Sequence, residues 1–407
     1  VSGEGYFVNT SGGAVTANLP AGSAGAIVSF ADYTRTFNSN NLTISPNGSE
    51  KIGGIAQDAK LTVDGQSATF VYVDATEGWI NVQETQTSQT GLVDFMAATV
   101  SGACNTLTTC GDFKIAKFVG PGTFCVSQIS TVCSGRNSLF YAVVAGGGGG
   151  GQGGGGGGGA GGFRLGGPGS FPSTPLAGSA LTATITGFPI TVGSGGAGST
   201  VPNRGLPGSD SVFSTITSAG GGGGGSRGCS PRGGLNGGSG SGGGGNGPGS
   251  PSGGCAGSGG SGNTPPVSPA QGNNGGSGGC SGAHQGGGGG GATAAGGSVG
   301  PNPGSSPGGA GGAGGSITEL FGGSPKPFYG PTNGVLAGGG GGSGRASPGP
   351  APGGTGGTGG GGNGEGQSTT ATAGTINTGG GGGATEFLGS ATQAGGSGIV
   401  YIKYKFQ

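Results

Sequence analysis

From residue 146 onward the chain nearly gives up side chains: 103 of the 262 residues between 146 and 407 are glycine, many in unbroken runs. Ordering one backbone residue costs roughly 1–2 kcal/mol, and glycine, the freest residue, buries no side chain in return. Such a region is either an unstructured linker or a place where backbone packs directly on backbone.

Composition separates the two. Disordered segments are usually charged and poor in aromatics, whereas only 12 of these 262 residues are charged, and Phe163, Phe171, Phe188, Phe213, Phe321, Phe328, Tyr329 and Phe387 recur through them. The runs fall at 146–151, 153–159, 220–225, 242–245, 286–291, 338–342, 359–362 and 379–383. Clusters of Pro, Asn and Ser of the turn-forming kind lie between them. Short strand-like phrases (141–145, 211–217, 335–336, 375–376) lead into several runs, so the region reads as an imperfect repeat.

A glycine segment can adopt the extended left-handed polyproline II form, with about 3.1 Å rise per residue and no internal hydrogen bonds. Laid side by side, such segments can pair their outward N–H and C=O groups, and only glycine lets the backbones approach. Collagen is excluded because the runs follow no strict Gly-X-Y period. Each bond nets roughly 0.5–1.5 kcal/mol, near balance with the ordering cost, so the lattice needs anchored ends. Residues 139–144 supply one anchor and 398–407 the other. In the latter, Val400, Ile402, Tyr404 and Phe406 alternate with Lys403 and Lys405, the pattern of a strand with one buried face. A hairpin is expected at 181–186 and 189–192, turning at Gly187.

The first 145 residues alternate in the β manner, with turn signals at Asn47-Gly48, Gly53-Gly54 and Asp64-Gly65. The expected fold is therefore all-β. Residues 1–94 form a sandwich or barrel-like module and 95–145 a second strand module; 146–398 form a lattice of packed polyglycine II helices, and 399–407 a closing strand, with essentially no α-helix.

A resemblance enters through particular phrases. The stretch 5–54, beginning GYFVNTSGGAVTANLPAG, and QSATFVYVDATEGWI at 66–80 resemble a module of tail fibres and related virion proteins of marine phages. GDFKIAKFVGPGTFCV (111–126), VVAGGGGGG (143–151), GGAGGFR (158–164), SDSVFSTITSAGGGGGG (209–225) and GSGIVYIKYKF (396–406) resemble the glycine-rich end of the same proteins. The resemblance implies an elongated, commonly homotrimeric adhesin on the virion. Such a protein joins other tail or baseplate proteins and contacts a host surface glycan or outer-membrane protein through loops at its tip. The start without Met implies that the chain is either processed or the ordered part of a longer protein, whose attachment segment would then lie upstream of Val1. The loops here are idiosyncratic, and the resemblance transfers no binding residue.

Other functions find little support. The single histidine, His284, has only Cys280 near it in sequence, short of a catalytic or metal-ligand set, and reads as a surface or lattice-edge residue. No GxGxxG follows a strand and opens a helix, and no acidic pair suggests acid–base work. Enzymatic activity, a cofactor and a metal are therefore not expected. Lys plus Arg equals Asp plus Glu at 14 each, which leaves no electrostatic footprint for nucleic acid. The longest apolar run, 139–145, is far short of a membrane span.

Receptor-contact candidates come from the loops. Phe321, Lys326, Phe328 and Tyr329 lie in an aromatic, proline-rich loop (320–330), where they either stack on sugars or pack the lattice ends. If they stack, deleting 321–329 leaves the fold intact and weakens host adsorption. Phe171, beside Pro172 and Pro175, and the loop bearing Arg227 and Arg232 come next. Arginine in the glycine half serves either carbonyl capping and solubility or contact with acidic glycans. Cys104, Cys110, Cys125 and Cys133 could form two bridges, and Cys229 and Cys255 could staple neighbouring segments; free thiols fit equally. Two other readings remain: a purely structural fibre or head-decoration protein, and a polyglycine II ice-binding protein.

Overall fold

In a computed structural model of the chain, the described residues are 2–85, 95–130, 134–169, 171, 176–199, 203–227, 232–246, 257–280, 284–300, 306–345, 351–387 and 391–406. They form two compact units, Val1–Asp94 and Phe95–Gln407.

The first unit is a β-sandwich. One sheet has the order β1 (Glu4–Val8), β3 (Ile27–Asp32), β6 (Ser67–Tyr72), β7 (Trp79–Thr85); the other runs β2 (Val15–Asn18), β4 (Leu42–Ser45), β5 (Ala59–Leu61). Alternation decides what is inside: Leu42 and Ile44 of β4 and Ala68 and Phe70 of β6 are buried while their neighbours are not. Phe37, Trp79 and Phe30 complete the core between the sheets. The Trp79 indole donates to the Glu50 carboxylate at 3.1 Å, which satisfies the one polar atom of a fully buried ring.

The second unit opens with another sandwich. Its larger sheet runs β14 (Ala177–Gly178), β13 (Phe163–Gly166), β12 (Ser138–Val144), β21 (Ile399–Lys405), β10 (Phe113–Phe118), β9 (Thr106–Cys110), with β15 (Leu181–Thr182) also on β12. The smaller runs β18 (Ile216–Ser218), β17 (Ser211–Phe213), β16 (Gly187–Thr191), β11 (Gly122–Gln128), β8 (Ala97–Val100). Phe118, Tyr141, Ile402 and Tyr404 meet Phe124, Phe188 and Phe213 between the sheets. The hairpin expected at 181–192 does not form. Leu181 pairs with Leu139, while β16 inserts between β11 and β17, because Phe188 and Ile190 find the inter-sheet core only there.

The closing strand also departs from expectation. It lies between β10 and β12, and both of its faces are covered. Val400, Ile402 and Tyr404 face the inter-sheet core, and Ile399 and Tyr401 face a second core on the sheet's other side. That second core is built by the insert between β19 (Gly315–Ser316) and β20 (Val335–Leu336), which carries the one-turn helix α1 (Thr318–Phe321).

The glycine runs form an ordered lattice, and segment 146–151 shows its rule. Gly146 and Gly149 donate to Ser209 and Leu206, Gly147 and Gly150 to Gly396 and Gln393, Gly148 and Gly151 to Gly159 and Gly156. Its carbonyls accept from Gly221 and Gly224, from Gly196 and Ser199, and from Gly382 and Thr385. Donor and acceptor positions alike step by three residues and point to six different neighbours, the hexagonal packing of polyglycine II. Segments 156–162, 237–246, 286–292, 337–344 and 378–386 are bonded on all sides in the same way, with parallel and antiparallel neighbours mixed.

Glycine is required here for approach rather than for conformation. Within 146–151 no φ is in the left-handed region, yet a Cβ on Gly148 would sit 2.1 Å from the Gly222 carbonyl oxygen, and one on Gly157 2.1 Å from that of Gly340. Positive φ occurs at connections such as Gly153–Gly154 (68° and 78°) and at segment starts such as Ala337 (60°) and Gly379 (70°). Outer segments show the complementary pattern. Through 191–199 exposure cycles with period three, and Ser194 and Ala197 take the outward positions.

Each interior residue makes about one hydrogen bond, worth roughly 0.5–1.5 kcal/mol net, against about 1–2 kcal/mol of ordering entropy. Lattice and entropy nearly cancel, and the sandwich into which the segments run tips the balance. Segment 146–151 continues β12, 156–162 leads into β13, 219–226 leaves β18 and 393–398 enters β21.

Candidate functional site: the polar end of the lattice

The strands feed one end of the lattice, which also carries the connections at 262–271 and 314–336; a second set of connections lies at the other end. The chain turns there at 152–154 and leaves and re-enters at 199 and 203, 227 and 232, 246 and 257, 280 and 284, 300 and 306, 345 and 351, and 387 and 391.

The two ends differ chemically. At the strand end the inner segments terminate on buried alanines, Ala145, Ala160, Ala219, Ala292 and Ala337, which lie against or near the apolar cores. At the opposite end they terminate on Gln152, Ser226, Asn246, Gln285, Ser343 and Thr385, all buried. A segment that stops leaves backbone groups without a lattice partner, and buried backbone groups must be satisfied. Side chains do this. Gln152 N–H donates to Ser226 Oγ at 3.0 Å, Ser343 Oγ donates to the Gly155 carbonyl at 3.0 Å, and Gln285 Nε2 to the Ser306 carbonyl at 3.0 Å.

On this polar layer sit charged groups from distant parts of the sequence. Arg227 Nη1 lies 3.0 Å from His284 Nδ1. A guanidinium only donates, so Nδ1 accepts and the imidazole proton is on Nε2. Burial, then Arg227 and Arg345, hold the His284 pKa below its usual value, so the ring is neutral. Arg232 Nε donates to the Arg227 carbonyl at 3.4 Å. Glu386 N–H donates to Glu365 Oε2 at 2.8 Å, and the Glu386 carbonyl accepts from Gly154 at 2.9 Å. Phe387, next in the chain, is 53% exposed. The assembly offers partly exposed cations, an exposed aromatic ring and a neutral imidazole on a rigid base, suited to contacting a polar or anionic surface.

The sequence-derived candidates divide accordingly. Arg227 and Arg232 lie at this end. The aromatic loop does not: it sits at the strand end, where Phe321, Phe328 and Tyr329 are buried in the second core of the sheet. Phe321 packs on Tyr401, whose hydroxyl donates to the Phe328 carbonyl at 2.7 Å. The packing alternative is the one the structure realises, since an open flank of the larger sheet needed an apolar cover. Rings held there cannot stack on a ligand, and deleting 321–329 would uncover the sheet. Lys326 stays partly exposed beside them, and Phe171 packs edge-on against Phe140 at 6.2 Å. Pro172 and Pro175 lie outside the described residues.

Cys104, Cys110 and Cys125 carry free thiols, while Cys133, Cys229 and Cys255 lie outside the described residues. Among the described residues no group of three or more His, Cys, Asp or Glu could hold a metal ion, and no helix is long and apolar enough to cross a membrane. Sequence reasoning missed the buried polar layer and the gathering of Arg345, His284 and Phe387 beside Arg227. The signal was present in the recurrent phrase of alanine, glycine run and polar residue, as in 145–152, 219–226 and 337–343.

The profile of a family described as a glycine-rich domain matches residues 121–405. No curated protein matches the chain.

Proposed function

This chain belongs to the glycine-rich domain family, and from that premise we propose that it is a phage virion fibre protein that adsorbs to host cells. The carrying observation is the set of lattice connections at one polar end, where the half-buried Arg227, Arg232 and Arg345 and the exposed Phe387 lie. A core of backbone leaves these connections free to vary without disturbing the fold, which is what receptor choice requires. In this reading the protein is extracellular, carried on the particle as a homotrimer, joined to other tail or baseplate proteins. Its target is a host surface glycan or outer-membrane protein.

The test is binding of the fluorescently labelled chain to candidate host cells, together with immunogold localisation on virions. Arg227→Glu combined with Arg345→Glu is expected to reduce cell binding at least tenfold in a variant that thermal melts show to be folded. Undiminished binding by that variant, or a label confined to the head, would overturn the reading.

One observation favours a second reading. Adjacent outer segments present small residues at period three: Ala295 and Ser298, then Ala310 and Ala313, then Thr355 and Thr358. A regular face of small side chains suits ice binding, and thermal hysteresis of the purified chain would establish it.

A further inference from the structure

The sandwich of the first unit is open along one side. Strands β1 and β2 are edge strands of their two sheets, and between them lies a groove of about 260 Å³ lined by Tyr6, Val8, Ala17, Asn18, Pro20 and Phe30. The Tyr6 ring stacks on Phe30 with centroids 5.7 Å apart and planes inclined by 21°, yet stays 37% exposed. One ring face is therefore covered by Phe30, and the part of the ring left exposed borders the groove. The Tyr6 hydroxyl donates to Glu4 at 2.5 Å, which fixes the ring's orientation. Asn18, exposed at the rim, offers an amide able both to donate and to accept.

Two kinds of occupant could use an open seam: a strand from another chain, or a small ligand. The seam discourages a strand. Pro20 removes a backbone donor just beyond β2, and Glu4 puts a charge on the β1 edge, both devices that block edge pairing. The volume falls just under the ~300–1,000 Å³ usual for ligand clefts and suits one ring. A supported aromatic face, apolar walls from Val8 and Ala17, and an amide at the rim match a pyranose, whose C–H face is apolar and whose edge carries hydroxyls.

We propose that the groove between β1 and β2 binds a single pyranose ring, stacked on Tyr6 and hydrogen-bonded by Asn18. The proposal deepens the adsorption reading and rests on it for the source of the sugar. Binding itself is measured without cells.

The experiment is saturation-transfer-difference NMR on the intact chain with methyl glucoside, galactoside, mannoside and N-acetylglucosaminide as probes. At least one probe should receive saturation, strongest at its ring C–H protons. Asn18→Ala, at an exposed position, should weaken that probe about tenfold, the effect of one lost hydrogen bond at 1.4 kcal/mol per decade. Tyr6→Phe should retain binding, Tyr6→Ala should abolish it, and Phe7→Ala, on the outer face of the same strand, should leave it unchanged. Thermal melts of each variant separate lost binding from lost folding. No transfer to any probe, or transfer that survives Tyr6→Ala in a folded variant, overturns the proposal, as does self-association of the chain that closes the seam and is broken by Tyr6→Ala. Loss of pyranoside binding with full cell adsorption would leave the groove standing and remove its role in adsorption. Pyranoside binding by a chain that adsorbs to no cell would instead remove the adsorption reading.

Discussion

The sandwiches and the lattice solve the same packing problem with opposite materials. Between the sheets of the second unit, side chains such as Phe118, Phe124, Tyr141 and Phe213 fill the interior, and the backbones stay apart. In the lattice the backbones are the interior, and at the glycine positions a side chain would be an intrusion. A sandwich core tolerates exchange of one apolar residue for another at modest cost. A lattice interior admits few side chains, small polar ones such as Ser239 and Ser241 that find a place between segments, while its outer positions and connections are far less constrained. Stability and variability are thus separated by region rather than by position within one region.

That contrast is broken most severely by a methyl group. Gly148→Ala and Gly157→Ala each place a Cβ about 2.1 Å from a carbonyl oxygen of a segment that is itself held on its other sides. Relief requires several segments to move together, and a loss of about 3 kcal/mol or more is expected, at the upper end of overpacking costs. Thermal melts with circular dichroism would check it, and a melting temperature within 2 °C or so of the parent would refute the close approach. The corresponding injury to a side-chain core runs the other way. Phe321→Ala opens a cavity between α1 and the larger sheet and should cost about 3–5 kcal/mol. Cell binding by whatever remains folded should be unchanged, because Phe321 lies at the strand end.

How much was legible beforehand follows the same division. Period-two alternation exposed the strands of the first unit, and the distribution of glycine, with its low charge, exposed the lattice. Long-range choices were not legible. Nothing in 181–192 says that Leu181 will pair with Leu139 and β16 with β11, since any apolar alternation fits a hairpin equally well locally. The aromatic loop misled because exposed and buried aromatics are identical in sequence; what decided its burial was the uncovered flank of a sheet closed by a strand from the far end of the chain. The candidate site was half legible. Arg227 and Arg232 were found, whereas Arg345 and His284 join them only through the up-and-down path of the segments.

Two half-buried bases give a smaller and pH-dependent handle on the same contrast, one at each end of the lattice. Lys403 is set among Phe140, Phe113 and Phe321, with its Nζ 3.9 Å from the Phe140 centroid and donating to the Leu320 carbonyl. Burial lowers its pKa to about 8 from 10.5. Between pH 8 and 10.5 the unfolded chain holds a proton that the folded chain has shed, so this group makes stability rise with pH across that window. His284 acts in the same sense at the polar end. Its folded pKa is lowered, so its contribution is complete above the unfolded value near 6.5 and is lost as pH falls below it, when the ring charges beside Arg227 and Arg345. Denaturant titrations at a series of pH values should show both trends. Lys403→Met should flatten the alkaline one and His284→Gln the acidic one. A slope unaltered by its own substitution would remove that group from the account.

The smallest effect tests the contrast most sharply, because its sign should reverse. Gly300 is exposed, its φ lies outside the left-handed region, and a Cβ there meets nothing within 4 Å. Alanine restricts the unfolded chain without straining the folded one, so Gly300→Ala should be neutral or stabilising by up to about 0.4–1 kcal/mol. The outward-facing exchanges Ser258→Ala and Ser261→Ala should stay within about 0.5 kcal/mol of the parent. If instead Gly300→Ala destabilised as much as Gly148→Ala, glycine would be serving the lattice through chain conformation. Opposite signs at the two positions would tie the requirement for glycine to the distance between backbones.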